Sequence, residues 1–477
     1  MQSNIRLPHV FIFLFFIIVS CSILSYLVPS GIYERQKKVI NKVEQSVVVS
    51  GSYREIPKHI SLKGILLEDS VEGHAEPTSV FSVLTSVPKG LQQSASLIFF
   101  IFMIGAVFNI IVATNTIHAF LSELIKRFQR KPVFLFFLIY VLVSTGSAFM
   151  GIYIELIPLI PILIVLAKQN GYDRMFGFAL GVLPVFVGWS TATTNPFTVQ
   201  IAQQIAELPI GSGIGLRLIV FMVAIFMGFF YLLRYGKRVK NGTKASLTDS
   251  LGETNVEQIE NVKLTKIHLR ILVVLILGYG GILSAVQFMG WGIIEMTAGF
   301  LAIGIATILI SGFSGDEAMM HFVNGLKSMI VPALIVGVAR GISIVMQESM
   351  IMDTILYGFS SALSALPKSI AAIGMLVFQS FLNFFIPSAS GQALVSMPLM
   401  TPLSDLLGLS RQIAVLAYVF GDGFSNLIIP TNGILLAMLG VGKVPFNKWI
   451  RFVFPIFIAL MMLAVATMSV SIIIGYK

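Results

Sequence analysis

The run that decides the fold is residues 369–404, SIAAIGMLVFQSFLNFFIPSASGQALVSMPLMTPLS, which contains no Asp, Glu, Lys or Arg. As one continuous helix its 36 residues would be about 54 Å long, whereas the hydrocarbon core of a bilayer is about 30 Å thick. The middle of the run, residues 385–391, reads FIPSASG. We therefore predict a re-entrant helical hairpin, because polar residues at its tip can satisfy the backbone groups that leave the helix.

The composition of the whole chain is that of a polytopic membrane protein. Its 477 residues are 56% hydrophobic and 11% charged, with a mean hydropathy of +0.90, whereas about a quarter of a typical soluble chain is charged. This composition argues against soluble enzymes and nucleic-acid-binding modules. The net charge of +10 is interpreted as Lys and Arg that anchor cytoplasmic loops rather than as a site for a polyanion.

Neither a cofactor nor an enzymatic activity is predicted. Cys21 is the single cysteine, the six histidines do not cluster, and the sequence has no Walker-type phosphate-binding loop. No nucleophile, base and orienting group can be assembled from it. We therefore expect transport driven by an ion gradient, with Na⁺ or H⁺ as the coupling ion, or by a substrate gradient.

A second long run, residues 132–167, is also too long for one span and contains a single charge, Glu155. Basic residues flank it at Lys131 and Lys168, as expected if both ends stay on one side of the membrane. The small polar stretch 144–147 is predicted to be the tip of this first hairpin.

Each hairpin is followed by a run that is interrupted near its centre. Residues 175–206 contain WSTATTNP at 189–196, and residues 412–442 contain proline, threonine and asparagine within 425–433. Proline removes a backbone donor, and the neighbouring hydroxyl and amide groups can satisfy an unwound backbone. Both runs are therefore predicted to be transmembrane helices broken at mid-bilayer.

The remaining stretches complete the predicted domain organisation. Residues 1–89 hold a first transmembrane helix and an external loop of nearly balanced charge, and the basic cluster 126–131 is expected in the cytoplasm. The first repeat is 90–235, a cytoplasmic linker covers 236–269, and the second repeat is 270–477. Single spans are predicted at about 8–28, 90–122, 218–233, 270–290, 293–313, 328–347 and 452–475.

Spacings in the two halves support a duplication. Arg174 precedes Asn195 by 21 residues, and Arg411 precedes Asn432 by the same 21. Five predicted spans separate the hairpins, and an odd number inverts the second copy. The predicted fold class is an all-α polytopic membrane protein of two inverted repeats, each with a re-entrant helical hairpin and a broken transmembrane helix. Such repeats are typical of secondary transporters, whose substrates bind near the interrupted helices.

Candidate substrate-binding residues are the polar residues of the hairpin tips and helix breaks, together with two acidic residues inside the runs: Ser147, Glu155, Thr193, Thr194, Asn195, Ser388, Ser390, Gly391, Asp422, Ser425, Asn426, Thr431 and Asn432. Their oxygens suit Na⁺, which is expected near Asn195 and Asn432; no other metal site is expected. The alternative is that these side chains only satisfy the broken helices or allow close packing.

Charges inside a membrane cost about 2.5 to 3.5 kcal/mol each on insertion scales, so each needs a function or a partner. Glu155 could bind a cationic substrate or a proton, or neutralise an internal arginine. Asp422 could bind an ammonium or guanidinium group or Na⁺. Arg340 could attract a carboxylate, form an ion pair or extend to the outer interface. Two acidic groups and one basic group match a zwitterionic or cationic amino acid better than a dianion.

Three segments resemble a known family: FFIPSASGQA at 384–393, FGDGFS at 420–425 and TNPF at 194–197. They are similar to the YfcC-like proteins of the C4-dicarboxylate anaerobic carrier (DcuC-type) group in the ion transporter superfamily. The resemblance implies an elevator-type secondary carrier, often dimeric, associated with basic amino acids, including arginine/ornithine exchange, and in relatives with dicarboxylates. At the position where close relatives carry two adjacent acidic residues, this chain has Ile154 followed by Glu155. A single acidic residue argues against a site in which two carboxylate side chains clamp the substrate.

The sequence therefore predicts a multi-pass amino acid transporter of the bacterial inner membrane, with basic amino acids such as arginine or ornithine moved by antiport or ion coupling. Its expected partners are a small-molecule substrate, the lipid bilayer and a second copy in a homodimer, and no nucleic acid. One alternative is a C4-dicarboxylate transporter of the same fold. Another is an ion channel, although a pore would be expected to line one path with a ring of repeated polar residues.

Overall fold

The computed structural model describes residues 10–40, 43–128, 131–248 and 263–476. Most of these residues are helical. The helices are α1 Val10–Leu27, α2 Leu62–Leu66, α3 Val80–Gln93, α4 Ala95–Ala113, α5 Thr116–Phe128, α6 Pro132–Thr145, α7 Ile160–Gln169, α8 Arg174–Ser190, α9 Val199–Ile205, α10 Ile214–Lys240, α11 Lys266–Met289, α12 Ile293–Ser311, α13 Gly315–Ser328, α14 Ile330–Glu348, α15 Met352–Ser364, α16 Lys368–Phe385, α17 Ala389–Leu406, α18 Arg411–Ser425, α19 Gly433–Val441 and α20 Phe446–Ile473. The strands are β1 Ser30–Ile32, β2 Arg35–Ile40, β3 Val43–Val48 and β4 Arg54–Ile56.

Within the described residues, seven helical stretches are long and apolar enough to cross a membrane. They are Ala95–Ala113, Pro132–Met150, Ile214–Lys240, Ile293–Ser311, Gly315–Glu348, Lys368–Phe385 and Phe446–Ile473. Helices α1 and α8 are also apolar but shorter. The protein is therefore a multi-pass membrane protein, as its composition predicts. Residues 249–262 of the predicted linker lie outside the described residues.

The single span predicted at 90–122 is wrong in its bounds, because three helices share this region. Helix α4 is the membrane-length one, with α3 before it and α5 after it. The chain turns at Ser94 and again at Asn115, whose φ is 57°. Helix α3 crosses the predicted boundary at residue 89 and packs along α14, so residues 80–89 lie in a helix rather than in the external loop.

The predicted external loop is folded and fastened to α15. Strand β1 pairs with β4 and β2 with β3, both antiparallel. Arg35 Nη2 donates to both carboxylate oxygens of Asp353, at 2.8 and 3.0 Å, and the rings of Tyr53 and Tyr357 stack with centroids 4.2 Å apart. This ion pair, in which one guanidinium nitrogen bonds both carboxylate oxygens, and the ring stack fix the orientation of this segment on the helix.

The tip predicted at 144–147 is also wrong, by a few residues. Helix α6 ends at Thr145 but continues as a π-helical turn, Gly146–Met150, and the chain reverses at 151–153. The wider turn satisfies the backbone carbonyls of these small residues within the helix, so the polar stretch does not break it. Gly151 has a φ of 73°, which glycine adopts without steric cost. A 3₁₀ turn, Ile154–Leu159, then leads into α7.

The runs 175–206 and 412–442, which are predicted to hold broken helices, each contain two helices and a connecting segment. Residues 191–198 separate α8 from α9, and 426–432 separate α18 from α19. Helix α8 is buried along its whole length, and α18 is buried throughout after Arg411. Helix α8 packs against α6, α7 and α10, while α18 packs against α16, α17 and α20. Each long arm is thus enclosed by the hairpin that precedes it.

Candidate functional site

A cavity of about 520 Å³ lies between the two hairpins and the second helix break. This volume is within the range of about 300 to 1,000 Å³ that is usual for small-molecule sites. The wall also includes residues of α3, α4, α12 and α14. The lining includes Gln93, Gly151, Tyr153, Glu155, Trp189, Arg340, Ser388, Ala389, Ser390, Thr431, Asn432, Gly433 and Ile434. Five of the predicted residues, Glu155, Ser388, Ser390, Thr431 and Asn432, therefore share one cavity.

Two side chains of opposite charge line this cavity. Glu155 is 7% exposed, and its Oε2 accepts a hydrogen bond of 2.8 Å from the backbone N–H of Tyr153. Arg340 donates from Nε to Gln93 Oε1 at 3.2 Å. Neither forms an ion pair with another residue in the described part of the chain, so both charges are available to a bound molecule.

Two helix N-termini also reach the cavity. Ala389 and Ser390 begin α17, and Gly433 and Ile434 begin α19. Asn432 caps α19, because its Oδ1 accepts from the N–H of Ile434 at 3.0 Å and of Leu435 at 3.2 Å. Helix N-termini carry partial positive charge and bind carboxylates. The cavity therefore offers anion-binding groups beyond Arg340.

Asp422 lies behind the wall of the cavity rather than on it. Asn432 Nδ2 donates to the Tyr153 hydroxyl at 2.7 Å, and the Tyr153 ring packs on Trp189 with centroids 4.6 Å apart. Trp189 Nε1 donates to Asp422 Oδ2 at 3.4 Å. Asp422 is 1% exposed, and its Oδ1 has no hydrogen-bond partner among the described residues. A contiguous chain of side chains thus connects this buried acid to the lining.

The predicted residues of the first break fasten the first hairpin instead of lining the cavity. Ser147 donates to the carbonyl of Val185 at 2.8 Å. Thr193 and Thr194 donate to the carbonyls of Ala148 and Phe149, and Asn195 Nδ2 donates to the Ser147 carbonyl, at 3.0 to 3.2 Å. These hydrogen bonds satisfy the backbone where the helix is unwound, which is the structural alternative that the sequence left open.

Around the second break, the remaining predicted residues form a similar internal network. Ser425 Oγ accepts from Asn383 Nδ2 at 2.8 Å, and Asn426 Nδ2 donates to the Asp422 carbonyl at 2.8 Å. Gly391 lies in the first turn of α17, with its N–H directed at Ser388 Oγ. Thr431, by contrast, lines the cavity while donating to the carbonyl of Phe384 at 2.7 Å.

The Na⁺ sites expected near Asn195 and Asn432 remain predictions. Each amide oxygen already accepts a backbone N–H, from Phe197 at 2.9 Å and from Ile434 at 3.0 Å. In the described residues, no group of three or more His, Cys, Asp and Glu side chains could hold a metal ion.

Sequence reasoning missed three residues that organise the site. Tyr153 and Trp189 form its aromatic wall. No charge or polar run marks Tyr153, and Trp189 begins the polar stretch 189–196 but is not among the predicted residues. Arg217 is fully buried and donates from Nη2 to the carbonyls of Ser212 at 2.9 Å and Thr193 at 3.3 Å. The sequence could have singled out Arg217, because this charged residue directly precedes the uncharged run at 218–233. It holds the first break against α10.

The sequence profile of the family described as C4-dicarboxylate anaerobic carrier matches residues 7–473. The chain belongs to this family. It is 30% identical over 472 residues to an Escherichia coli K12 protein named "Putative basic amino acid antiporter YfcC", covering 93% of this chain and 92% of that protein. It is 29% identical over 488 residues to an uncharacterized protein of Haemophilus influenzae, covering 95% of this chain and 94% of that protein. The resemblance to this family that the three sequence motifs indicate is confirmed.

Two solved transporter structures align with this member of the carrier family over nearly their full lengths. For the YdaH transporter of Alcanivorax borkumensis the TM-score is 0.42 at 14% identity, covering 98% of this chain and 99% of that chain. For MtrF of Neisseria gonorrhoeae it is 0.42 at 17% identity, covering 97% and 95%. Family membership and the membrane-length helices together identify the chain as a multi-pass membrane transporter.

Proposed function

We propose that the protein is a secondary active transporter of basic amino acids. The observation that carries this proposal is the presence of Glu155 and Arg340, oppositely charged and without ion-pair partners in the described residues, on one cavity. Glu155 would accept hydrogen bonds from an ammonium or guanidinium group, and Arg340 would bind the α-carboxylate. Charge-assisted hydrogen bonds of this kind are stronger than hydrogen bonds between neutral groups.

The balance of buried charge supports a cation. Asp422 adds a second acid behind Trp189, so two acids and one base surround the binding region. A basic amino acid has two cationic groups and one carboxylate, and it complements that set. The name of the Escherichia coli relative, which mentions a basic amino acid antiporter, supports the same substrate class.

A C4-dicarboxylate is the second candidate, and one observation favours it. The N-termini of α17 and α19 both lie on the cavity, and with Arg340 they could bind two carboxylates. Glu155 opposes this candidate, because a second carboxylate would add to its negative charge in a site of low dielectric constant. The name of the family also mentions a dicarboxylate.

We further propose that the two halves are inverted repeats. Arg174, at the start of α8, donates to the carbonyl of Lys443 at 3.3 Å. Arg411, at the start of α18, donates to the carbonyl of Ala206 at 3.0 Å. In each case an arginine of one half contacts the end of the short arm of the other half. Both the two donors and the two acceptors are separated by 237 positions, as a duplication requires.

A second pair of contacts supports the same relation. Ser147 in the first hairpin donates to the carbonyl of Val185, and Asn383 in the second donates to the carbonyl of Asp422. The two acceptors, residues 185 and 422, are again 237 positions apart, and the two donors are 236 apart. Repeats of this kind are associated with alternating access. We propose an elevator-type movement in which the hairpins and broken helices move together against the helices α1, α3, α4 and α11 to α14.

The test is counterflow in proteoliposomes. Vesicles preloaded with ornithine, arginine, fumarate or buffer would be assayed for uptake of labelled arginine and labelled succinate, with and without a Na⁺ or H⁺ gradient. We expect arginine uptake that depends on internal ornithine or arginine. Succinate counterflow without arginine movement would refute the basic amino acid proposal and support the dicarboxylate candidate.

Two further measurements address the remaining alternatives. A bilayer recording with conductance far above carrier turnover would support an ion channel instead. We place the protein in the bacterial inner membrane as a homodimer, which a fractionated membrane preparation and the mass of the detergent-solubilised protein would test. A monomeric mass in mild detergent and in nanodiscs would contradict the dimer.

A further inference from the structure

A second cavity, of about 220 Å³, lies among α4, α5, α7, α11 and α12 and shares no lining residue with the substrate cavity. Its walls are almost wholly apolar, with Ile111, Phe120, Leu275 and Phe300 among the contributing side chains. An apolar cavity of this kind does not hold water. It is suited to a hydrocarbon group.

The cavity is continuous with the surface that faces the bilayer. Phe120 and Ile276 line it and are 38% and 67% exposed. Leu277, the next residue on α11, is 69% exposed. Residues 270–290 are predicted from the sequence to be a span, so the exposed apolar side chains of α11 are expected to contact lipid acyl chains. An acyl chain is therefore the hydrocarbon that can enter from this side.

Basic residues lie on α5 and α11, beyond the cavity. Lys126 and Arg127 are in the last turn of α5, and Lys266 and Arg270 are in the first turns of α11. All four are exposed, and none forms an ion pair with another described residue. Helices α5 and α11 pack against each other. The basic ends of both are expected on the cytoplasmic side, because the cluster 126–131 and the linker before α11 are predicted to lie there.

The distances along the helices suit one phospholipid. Arg127 follows Phe120 by seven residues, which is about 10 Å, and Leu275 follows Arg270 by five, about 8 Å. Basic pockets between membrane helices on the cytoplasmic side bind anionic lipid headgroups. We propose that this cavity binds one acyl chain of an anionic phospholipid whose headgroup contacts the basic ends of α5 and α11.

The lipid would pack directly behind the turn that carries Glu155. Pro158 and Leu159, in the same 3₁₀ turn, line the apolar cavity. Tyr279, also on its wall, donates from its hydroxyl to the backbone carbonyl of Glu155 at 2.5 Å. An occupied cavity therefore supports the Glu155 turn from behind, and an empty one leaves its apolar wall without contacts. Lipid binding is thereby coupled to the geometry of the substrate cavity.

The experiment is photolabelling of the purified protein in nanodiscs. Phosphatidylglycerol with a photoactivatable diazirine in its acyl chain is compared with the matching phosphatidylcholine probe, and labelled peptides are identified by mass spectrometry. In the wild type we expect labelling of residues 272–279 by phosphatidylglycerol, displaced by excess unlabelled phosphatidylglycerol. Leu275→Trp, which fills the cavity, should lower that labelling at least about fivefold. Leu277→Trp is the matched control, because Leu277 is an exposed residue on another face of the same helix. This variant should not lower the labelling.

The headgroup contact is tested separately. Lys266→Gln combined with Arg270→Gln should abolish the preference for phosphatidylglycerol over phosphatidylcholine, whereas Lys237→Gln with Arg238→Gln, on the last turn of α10, should leave it intact. Equal labelling by both probes in the wild type, or labelling that excess lipid does not displace, would overturn the proposal even if Leu275→Trp failed to fold. Labelling needs no transport substrate, so its outcome is independent of the proposed function.

Discussion

Replacement of Glu155 by glutamine removes one charge from the substrate cavity and changes little else. The side chain keeps its length, and the amide oxygen can still accept the N–H of Tyr153, which now bonds Oε2 at 2.8 Å. Glu155→Gln therefore tests the proposed contact with a cationic group rather than the integrity of the turn. The same substitution should help a dicarboxylate, because it removes a repulsive charge.

The expected magnitude follows from burial. A surface ion pair would contribute only about 0 to 1 kcal/mol, but Glu155 is 7% exposed and lines the cavity. A hydrogen bond to a charged group there contributes about 1.5 to 3 kcal/mol. Since about 1.4 kcal/mol is a factor of ten, the KM for arginine should rise about 10-fold to 150-fold.

The thermal stability of the protein, unlike its affinity for arginine, should not fall. Without substrate, the Glu155 carboxylate is buried and has no ion-pair partner among the described residues, which is unfavourable in a membrane. Glu155→Gln should therefore leave the thermal unfolding temperature in detergent unchanged or raise it. Loss of transport with a maintained melting temperature separates a binding defect from misfolding.

The assay is the initial rate of arginine uptake into ornithine-loaded proteoliposomes over a range of external arginine concentrations. Glu317→Gln is the matched control, because Glu317 is exposed in the first turn of α13 and does not line the cavity. The control should keep the wild-type KM. A KM within twofold of wild type for Glu155→Gln, or a lower melting temperature that accompanies lost uptake, would refute the reasoning.

Three further predictions concern other parts of the molecule. Asp422→Asn should abolish uptake while expression and melting temperature are retained, and full activity would show that the buried acid has no part in transport. Gly423→Val should lower the melting temperature, because a Cβ at Gly423 would lie 2.3 Å from the Cα of Ser190, whereas Gly280→Val, with open space around it, should be neutral; equal melting temperatures would contradict the close crossing of α8 and α18. Hydrogen bonds from Ser61 and then from Lys63 lower the pKa of Asp69 to about 2, so its ionised form stabilises the external segment above about pH 4 and that contribution is lost as the pH falls toward 2. The melting-temperature advantage of wild type over Asp69→Asn should disappear over the same range, and a constant difference down to pH 2 would count against it.

Run length and charge spacing were sufficient to predict the interrupted helices. A run of 36 residues without charge cannot be one span, and proline among threonine, serine and asparagine marks the place where helical bonding stops. The first tip was misplaced because small polar residues permit a turn without requiring one. Gly146–Met150 instead forms a π-helical turn, and that choice depends on how the hairpin packs against α8.

The conformation of the external segment also depends on contacts that are distant in the sequence. Its nearly balanced charge led to the prediction of an external loop, and four short strands are found in this segment. What fastens it is the ion pair of Arg35 with Asp353, more than 300 positions away. No local pattern contains that information, because each residue alone looks like an ordinary exposed charge.

By itself, the sequence determined that the chain spans a membrane, where two of its helices are interrupted, and that Glu155 and Asp422 lie within long apolar runs. These are consequences of short-range chemistry, since hydrophobic length and missing backbone donors act within one segment. Only the tertiary structure decided which polar groups share a cavity. A hydroxyl or amide beside a broken helix can satisfy the backbone or bind a ligand, and the segments that pack against it determine which. Thus Thr193 and Asn195 fasten a hairpin, while Thr431 and Asn432 lie on the cavity wall with Glu155 and Arg340.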